Sequence, residues 1–173
     1  MIALAIFVVD PRVGGLVGDA QQLVQPCLMA VPAFTLHGRT DLPKHWALSA
    51  ALTLASGSRL AVAMGEWKEL ADSLPKDAYL TPGERTGFSL VDLAADRAGL
   101  RYARLITDPE RLLDVRARML SGADDMLLPR SQLALVEGLT DAEFKRRFGG
   151  TDDPRFLAAK EEIDADLRRA GIY

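Results

Sequence analysis

Helix-start signals recur along this chain, whereas the alternation of apolar and polar residues that marks a half-buried strand is scarce. At several points an acidic or hydroxyl residue precedes a candidate helix, and some of these helices carry a proline in the first turn. These signals are Asp41 with Pro43, Ser89 with Asp92, Asp108 with Pro109, Thr140 with Glu143, and Asp153 with Pro154. Such side chains accept hydrogen bonds from the open amides of a first helical turn. The sequence therefore predicts an all-α protein, a compact helical bundle with a helical C-terminal extension.

The helix signals divide the chain into three parts. Residues 1–15 are an apolar N-terminal segment, residues 16–107 a helical core domain, and residues 108–173 the C-terminal extension. In the core domain we predict helices over about 16–31, 42–56, 59–74 and 89–107, with a long loop over 75–87. Three further helices are predicted to begin near Asp108, Thr140 and Asp153.

The apolar start at 1–9 ends abruptly at Asp10-Pro11-Arg12. It is too short to span a membrane and lacks the basic opening of a secretory signal. It is either the remnant of a signal or anchor or an ordinary buried segment. Cys27, the only cysteine, has no small residue before it, which favours a buried thiol over a lipid-attachment site.

The net charge of -3 argues against a nucleic-acid partner, because no basic surplus exists to displace the counterions of a phosphate backbone. The run from Trp46 to Ser58 carries no charge. A run of this length is typical of a core or interfacial helix. Together with residues 1–9, it also allows a peripheral membrane protein.

Acidic residues recur at helical spacing in two of the predicted helices. Asp92 and Asp96 are four residues apart, and Glu69 and Asp72 are three apart, so each pair shares one helix face. His45 lies in the first turn of its own helix. If the three faces meet, four carboxylates and an imidazole converge inside the bundle.

Such a cluster has two chemical uses and a structural alternative. It could hold a divalent cation, or crowded acids could raise one another's pKa and give a general acid or base beside His45. Lys68 and Arg97 could neutralise the acids or bind a phosphate-bearing substrate. Alternatively, Asp41 and Asp92 cap helices, the other acids form solvated faces, and ion pairs fix the helix packing.

Three stretches of the chain carry a recognisable order of residues. They read D-L-P-K-H-W at 41–46, G-E-W-K-E-L-A-D-S at 65–73, and F-S-L-V-D-L-A-A-D-R-A-G at 88–99. This order resembles the YfiM-like bacterial lipoproteins, which carry D-K-x-x-H-F, then K-E-x-x-D-S, then S-x-x-D-x-x-x-D-x-x-G. VanZ-like membrane proteins show a looser version. The chain departs from the pattern at Leu42, where the family has lysine.

The resemblance implies a bacterial envelope setting and a shared site, and it names no reaction. It covers somewhat more than a third of the chain, from Asp41 to Leu105. The matching positions are Asp41, His45, Lys68, Glu69, Asp72, Ser73, Ser89, Asp92, Asp96 and Gly99.

The sequence therefore predicts a cell-envelope protein, periplasmic or membrane-associated, with a cytoplasmic location as the alternative. Its site would support a hydrolase-type acid–base or metal-assisted reaction on an envelope substrate. The alternative function is a non-enzymatic scaffold or binding module, in which the same polar residues lock the helices together. The residues expected to act in catalysis are His45, Glu69, Asp72, Asp92 and Asp96, and those expected to bind substrate are Lys68, Ser89, Arg97 and Arg39.

Overall fold

A computed structural model confirms the all-α fold class. The structure describes residues 2–10, 13, 22, 33–57, 61–62, 64–66, 68 and 87–173. The α-helices in these ranges are α1 (Ile2–Val8), α2 (Leu42–Ser56), α3 (Leu90–Thr107), α4 (Leu112–Ser121), α5 (Asp124–Leu127), α6 (Asp141–Phe148) and α7 (Pro154–Arg169). A 3-10 helix, Arg130–Ala134, lies between α5 and α6. Residues 61–62, 64–66 and 68 are also helical.

Side-chain caps explain where three of these helices begin. The side chains of Ser89, Thr140 and Asp153 accept hydrogen bonds from first-turn amides of α3, α6 and α7, as predicted. Asp41 occupies the N-cap position of α2, as predicted, but its carboxylate makes no capping bond and instead accepts hydrogen bonds from Arg39. A charged guanidinium two residues away competes successfully with the neutral amides of the helix.

Other expectations differ from the structure or fall outside it. The helix predicted from Asp108 begins only at Leu112. The short α5 and the 3-10 helix were not predicted, because each is too brief to show a helical period. Most of the remaining predictions lie outside the described residues: the helix at 16–31 except Gln22, most of the one at 59–74, Cys27 and nearly all of the loop at 75–87.

The apolar N-terminal helix packs on α2. Ala5 and Ile6 of α1 are buried, and Ala47 and Ala50 of α2 lie in the same core cluster. Residues 1–9 and the uncharged run from Trp46 were the two segments considered for membrane contact. Both bury part of their apolar surface within the described fold. None of the described helices is both long enough and apolar enough to cross a membrane.

The close approach of α2 and α3 positions the site. A side chain on Gly99 would place its Cβ only 2.0 Å from the carbonyl oxygen of Trp46, so the two backbones nearly touch. The Trp46 ring packs on Tyr102 with centroids 5.2 Å apart, and its indole N–H donates to the Leu127 carbonyl at 3.2 Å. The middle of α3 therefore crosses the first turns of α2.

The C-terminal extension packs against the same helix pair. Phe88, just before α3, stacks with Phe144 of α6 at 4.3 Å and meets Phe156 of α7 edge-on at 5.6 Å. The backbone of Phe88 also pairs with Leu139 through two hydrogen bonds of 2.7 and 3.0 Å. Residues beyond 107 thus fix the first turn of α3, which carries Asp92.

Candidate functional site

His45 lies between two carboxylates of α3, and this contact is the centre of the candidate site. Its Nε2 is 3.5 Å from Asp92 Oδ2, and its Nδ1 is 3.4 Å from Asp96 Oδ1. The carboxylates are one helical turn apart, so both reach the same ring. Their side chains are 6% and 11% exposed, and that of His45 is 10% exposed. The structure thus brings together three of the five residues predicted to act in catalysis.

The surroundings of these groups change their proton affinities. Burial disfavours the charged imidazolium, but the hydrogen bond and charge of Asp96 and the charge of Asp92 outweigh it, so the pKa of His45 lies above its ordinary value. Burial raises the pKa of Asp92, and the neighbouring His45 offsets only part of this effect. Both shifts favour the protonated forms of His45 and Asp92 over those of the same groups in water.

Arg39 joins the site to the rest of the protein. It donates two hydrogen bonds to Asp41 and two, of 3.0 and 2.9 Å, to Glu137. Its Nη2 also lies 3.7 Å from Asp92 Oδ1. The Arg39 hydrogen bond holds the pKa of Asp41 below its ordinary value. Arg39, predicted to bind substrate, therefore already contacts three carboxylates.

An apolar cavity of about 430 Å³ opens beside the imidazole. His45 and Asp96 border it, whereas Asp92 contacts the ring from outside the cavity lining. The other described residues that line it are Val9, Asp41, Lys44, Leu48, Ser49, Leu52, Ala61, Met64, Gly65 and Lys68. Lys68, another predicted substrate-binding residue, is therefore in the cavity wall. Ligand sites are commonly apolar pockets of this size with a few polar groups at one end.

Two buried carboxylate oxygens of the site have no hydrogen-bond partner among the described residues. They are Asp92 Oδ1 and Asp96 Oδ2. The second lies 3.0 Å from the position a Cβ on Gly65 would take, and both Asp96 and Gly65 line the cavity. A buried acceptor without a donor is costly, so such an atom is expected to bind a ligand or water.

Two other residues predicted to bind substrate, Ser89 and Arg97, make contacts within the fold. The Ser89 hydroxyl is the cap of α3 and accepts the Asp92 amide at 3.0 Å. Arg97 forms a double hydrogen bond with Asp164 of α7, which Arg101 also approaches to 3.1 Å. These contacts occupy both groups within the fold.

Glu69 and Asp72, the two remaining predicted catalytic residues, lie outside the described residues. Within the described ranges, no group of three or more His, Cys, Asp or Glu side chains is arranged to hold a metal ion. The geometry of His45 explains why it forms no such group with Asp92 and Asp96. Each ring nitrogen faces a different carboxylate, so the three side chains do not point to one common position.

The sequence did not single out the cavity walls. Leu48, Ser49 and Leu52 line the cavity from α2, but their spacing is that of any core helix. The sequence did not point to Glu137 or Asp164 either. Glu137 accepts hydrogen bonds from Arg39 and Asp164 from Arg97, and in each pair more than sixty residues separate the partners in sequence. Comparison with models of protein families, with curated proteins and with solved structures found no match to this chain.

Proposed function

We propose that this protein is a bacterial envelope enzyme of the hydrolase type, with an acid–base site formed by His45, Asp96 and Asp92. The observation that carries the proposal is a buried imidazole held between two carboxylates at the polar end of an apolar cavity. Paired titratable groups with shifted pKa values are typical of sites that move protons. The envelope setting rests on the resemblance to the YfiM-like lipoproteins.

The position of each group at the cavity supports a separate role for it. Because both ring nitrogens of His45 face carboxylates, Asp96 would exchange the proton with the attacking water and the leaving group, and His45 would hold it through Nδ1, 3.4 Å from Asp96 Oδ1. Asp92 lies behind the ring at 3.5 Å and acts as a positioning residue that favours the protonated imidazole. Lys68 in the cavity wall would stabilise negative charge that develops on the substrate.

The test is hydrolysis of three kinds of probe, nitrophenyl acyl esters, nitrophenyl phosphate and purified cell-wall sacculi. We expect turnover of at least one probe, and His45→Gln should reduce it by about 100-fold or more. Leu157→Gln, an exposed change on α7, is the control and should keep the rate. No turnover by the wild-type protein, or full turnover by a folded His45→Gln variant, would exclude the hydrolase proposal.

The pH profile separates a catalytic role from a structural one. The rate should rise with pH as His45 loses its proton, with a midpoint above the ordinary value of 6.5. Asp92→Asn removes a charge that raises this pKa, so the midpoint should move to lower pH. A stability defect alone would lower the rate without moving the midpoint.

A scaffold is the second candidate function, and the contacts of Arg39 favour it. This one guanidinium joins Asp41 before α2, Asp92 of α3 and Glu137 of the C-terminal extension. In a scaffold, the polar cluster would fix helix packing and perform no chemistry. His45→Gln and Asp92→Asn would then lower the melting temperature, and no probe would be hydrolysed by the wild-type protein.

We also propose that the protein contacts an anionic membrane surface through α4. Leu113 and Leu120 on this helix are 75% and 71% exposed, one heptad apart. The exposed Arg111 and Arg116 flank them, and basic residues beside an apolar stripe suit anionic lipid headgroups.

Flotation with vesicles that contain phosphatidylglycerol tests the membrane proposal. The wild-type protein should float with the vesicles, and the double variant Leu113→Ser with Leu120→Ser should stay in the aqueous fraction. Leu157→Ser on α7, where Leu157 is 48% exposed, is the matched control and should still float. A wild-type protein that stays in the aqueous fraction, or that self-associates through α4 instead, would refute the proposal.

A further inference from the structure

The walls of the cavity beside His45 suit a hydrocarbon chain. Leu48 and Leu52 contribute from α2, and Ala61 and Met64 face them from the helical residues beyond it. The volume of about 430 Å³ lies within the range of small-ligand pockets, about 300 to 1,000 Å³. An apolar chain in this space would lose its contact with water, which is favourable in proportion to the area buried.

The polar end of the cavity offers a hydrogen-bond acceptor. Asp96 is only 8% exposed, and its Oδ2 has no partner among the described residues. This buried oxygen lies beside Gly65, 3.0 Å from the position that a Cβ would take there, and both residues border the cavity. A hydroxyl or amide N–H on a ligand could donate to Asp96 Oδ2.

The fixed charges around this end nearly cancel. In the described part of the chain, four carboxylates lie around the cations Arg39, Lys44 and Lys68 and the His45 imidazole: those of Asp41, Asp92, Asp96 and Glu137. An anionic headgroup would meet the carboxylate of Asp96, and a cationic one would meet Lys44 and Lys68 in the cavity wall. The balance favours a neutral headgroup that carries a hydrogen-bond donor.

We infer that the cavity binds a neutral single-chain amphiphile of the monoacylglycerol type, with its chain along Leu48, Leu52 and Met64 and a hydroxyl on Asp96 Oδ2. This inference rests on the proposed function, because it names the substrate class of the same site. The acyl ester of such a lipid would lie next to the His45 and Asp96 pair. Hydrolysis would consume one water and release a fatty acid and glycerol.

Calorimetric titration of the full chain with dodecylglycerol ether, below its micelle concentration, tests binding apart from catalysis, since the ether bond resists hydrolysis. We expect saturable binding of one ligand per chain. Dodecanoate and dodecyltrimethylammonium have the same chain length with a charged head. Each should bind at least about tenfold more weakly than the ether. Equal or tighter binding of either charged amphiphile, or no binding of the ether, overturns the inference.

Two tryptophan variants locate the ligand. Met64→Trp fills the cavity at a residue that is 45% exposed, so the fold should tolerate it, and it should weaken ether binding at least about tenfold. Leu157→Trp, at a similarly exposed residue on α7 outside the cavity, should bind like the wild type. Unchanged binding by Met64→Trp would place the ligand elsewhere and refute the inference.

The outcomes distinguish this inference from the proposed function. Ether binding without hydrolysis of any probe supports the amphiphile site and refutes the enzyme. Hydrolysis of a probe without ether binding supports the enzyme and refutes the amphiphile. Ether binding that persists in His45→Gln, together with loss of hydrolysis, supports both.

Discussion

Gly99→Ala should destabilise the protein by about 3 kcal/mol, although alanine is the better helix former by about 1 kcal/mol. The reason is steric. The new Cβ would lie 2.0 Å from the Trp46 carbonyl oxygen and 2.8 Å from its carbon, and both are backbone atoms that no rotamer change can move away. Thermal denaturation should show a melting temperature roughly 6 to 12 °C lower.

Arg104→Ala is the matched control for this change. Arg104 is exposed on the same helix, so its removal should change the stability by less than about 0.5 kcal/mol. A Gly99→Ala variant as stable as the control would show that α2 and α3 do not approach as closely as the structure shows. Since this crossing holds His45 over Asp92 and Asp96, the candidate site would then lose its geometric basis.

Asp164→Ala should cost about 3 kcal/mol in the free energy of unfolding. Asp164 accepts hydrogen bonds from Arg97 and ion-pairs with Arg101, and the side chains of these arginines are only 19% and 13% exposed. Removing the carboxylate leaves two poorly hydrated cations side by side, which is costly unless water enters. Chemical denaturation would measure the loss.

Glu162→Ala, at an exposed position of the same helix, should leave the stability nearly unchanged. The variant Arg97→Gln tests whether Arg97 also contributes to catalysis or ligand binding. If Arg97 only links α3 to α7, the folded variant should hydrolyse probes and bind dodecylglycerol ether as the wild type does. A loss of binding in the folded variant would instead support the substrate contact that the sequence predicted for Arg97.

Features within one helix could be predicted from the sequence. The spacing of Asp92 and Asp96 placed both carboxylates on one face of α3, and the residues before α3, α6 and α7 marked where these helices start. Such features depend on rise and rotation per residue, which every α-helix shares. The all-α fold class follows from the same local signals.

The contacts between elements could not be predicted in the same way. His45 was expected near the acids only if three helix faces met, and nothing in the periodicity shows that Gly99 brings α2 this close to α3. Arg97 and Asp164 are 67 residues apart, and neither position differs in pattern from a solvated charge. The cavity could not be predicted for a related reason. A cavity forms where several packed elements leave a space between them, and this depends on contacts that the sequence pattern does not show.

The pairing of Phe88 with Leu139 has a consequence for how the protein forms during synthesis. The first turn of α3 is held by backbone hydrogen bonds to residues 136 and 139 and by an aromatic cluster from α6 and α7. These partners leave the ribosome long after His45, Asp92 and Asp96 have been made. The first turn of α3, which carries Asp92, therefore gains these contacts only when the last third of the chain is being translated.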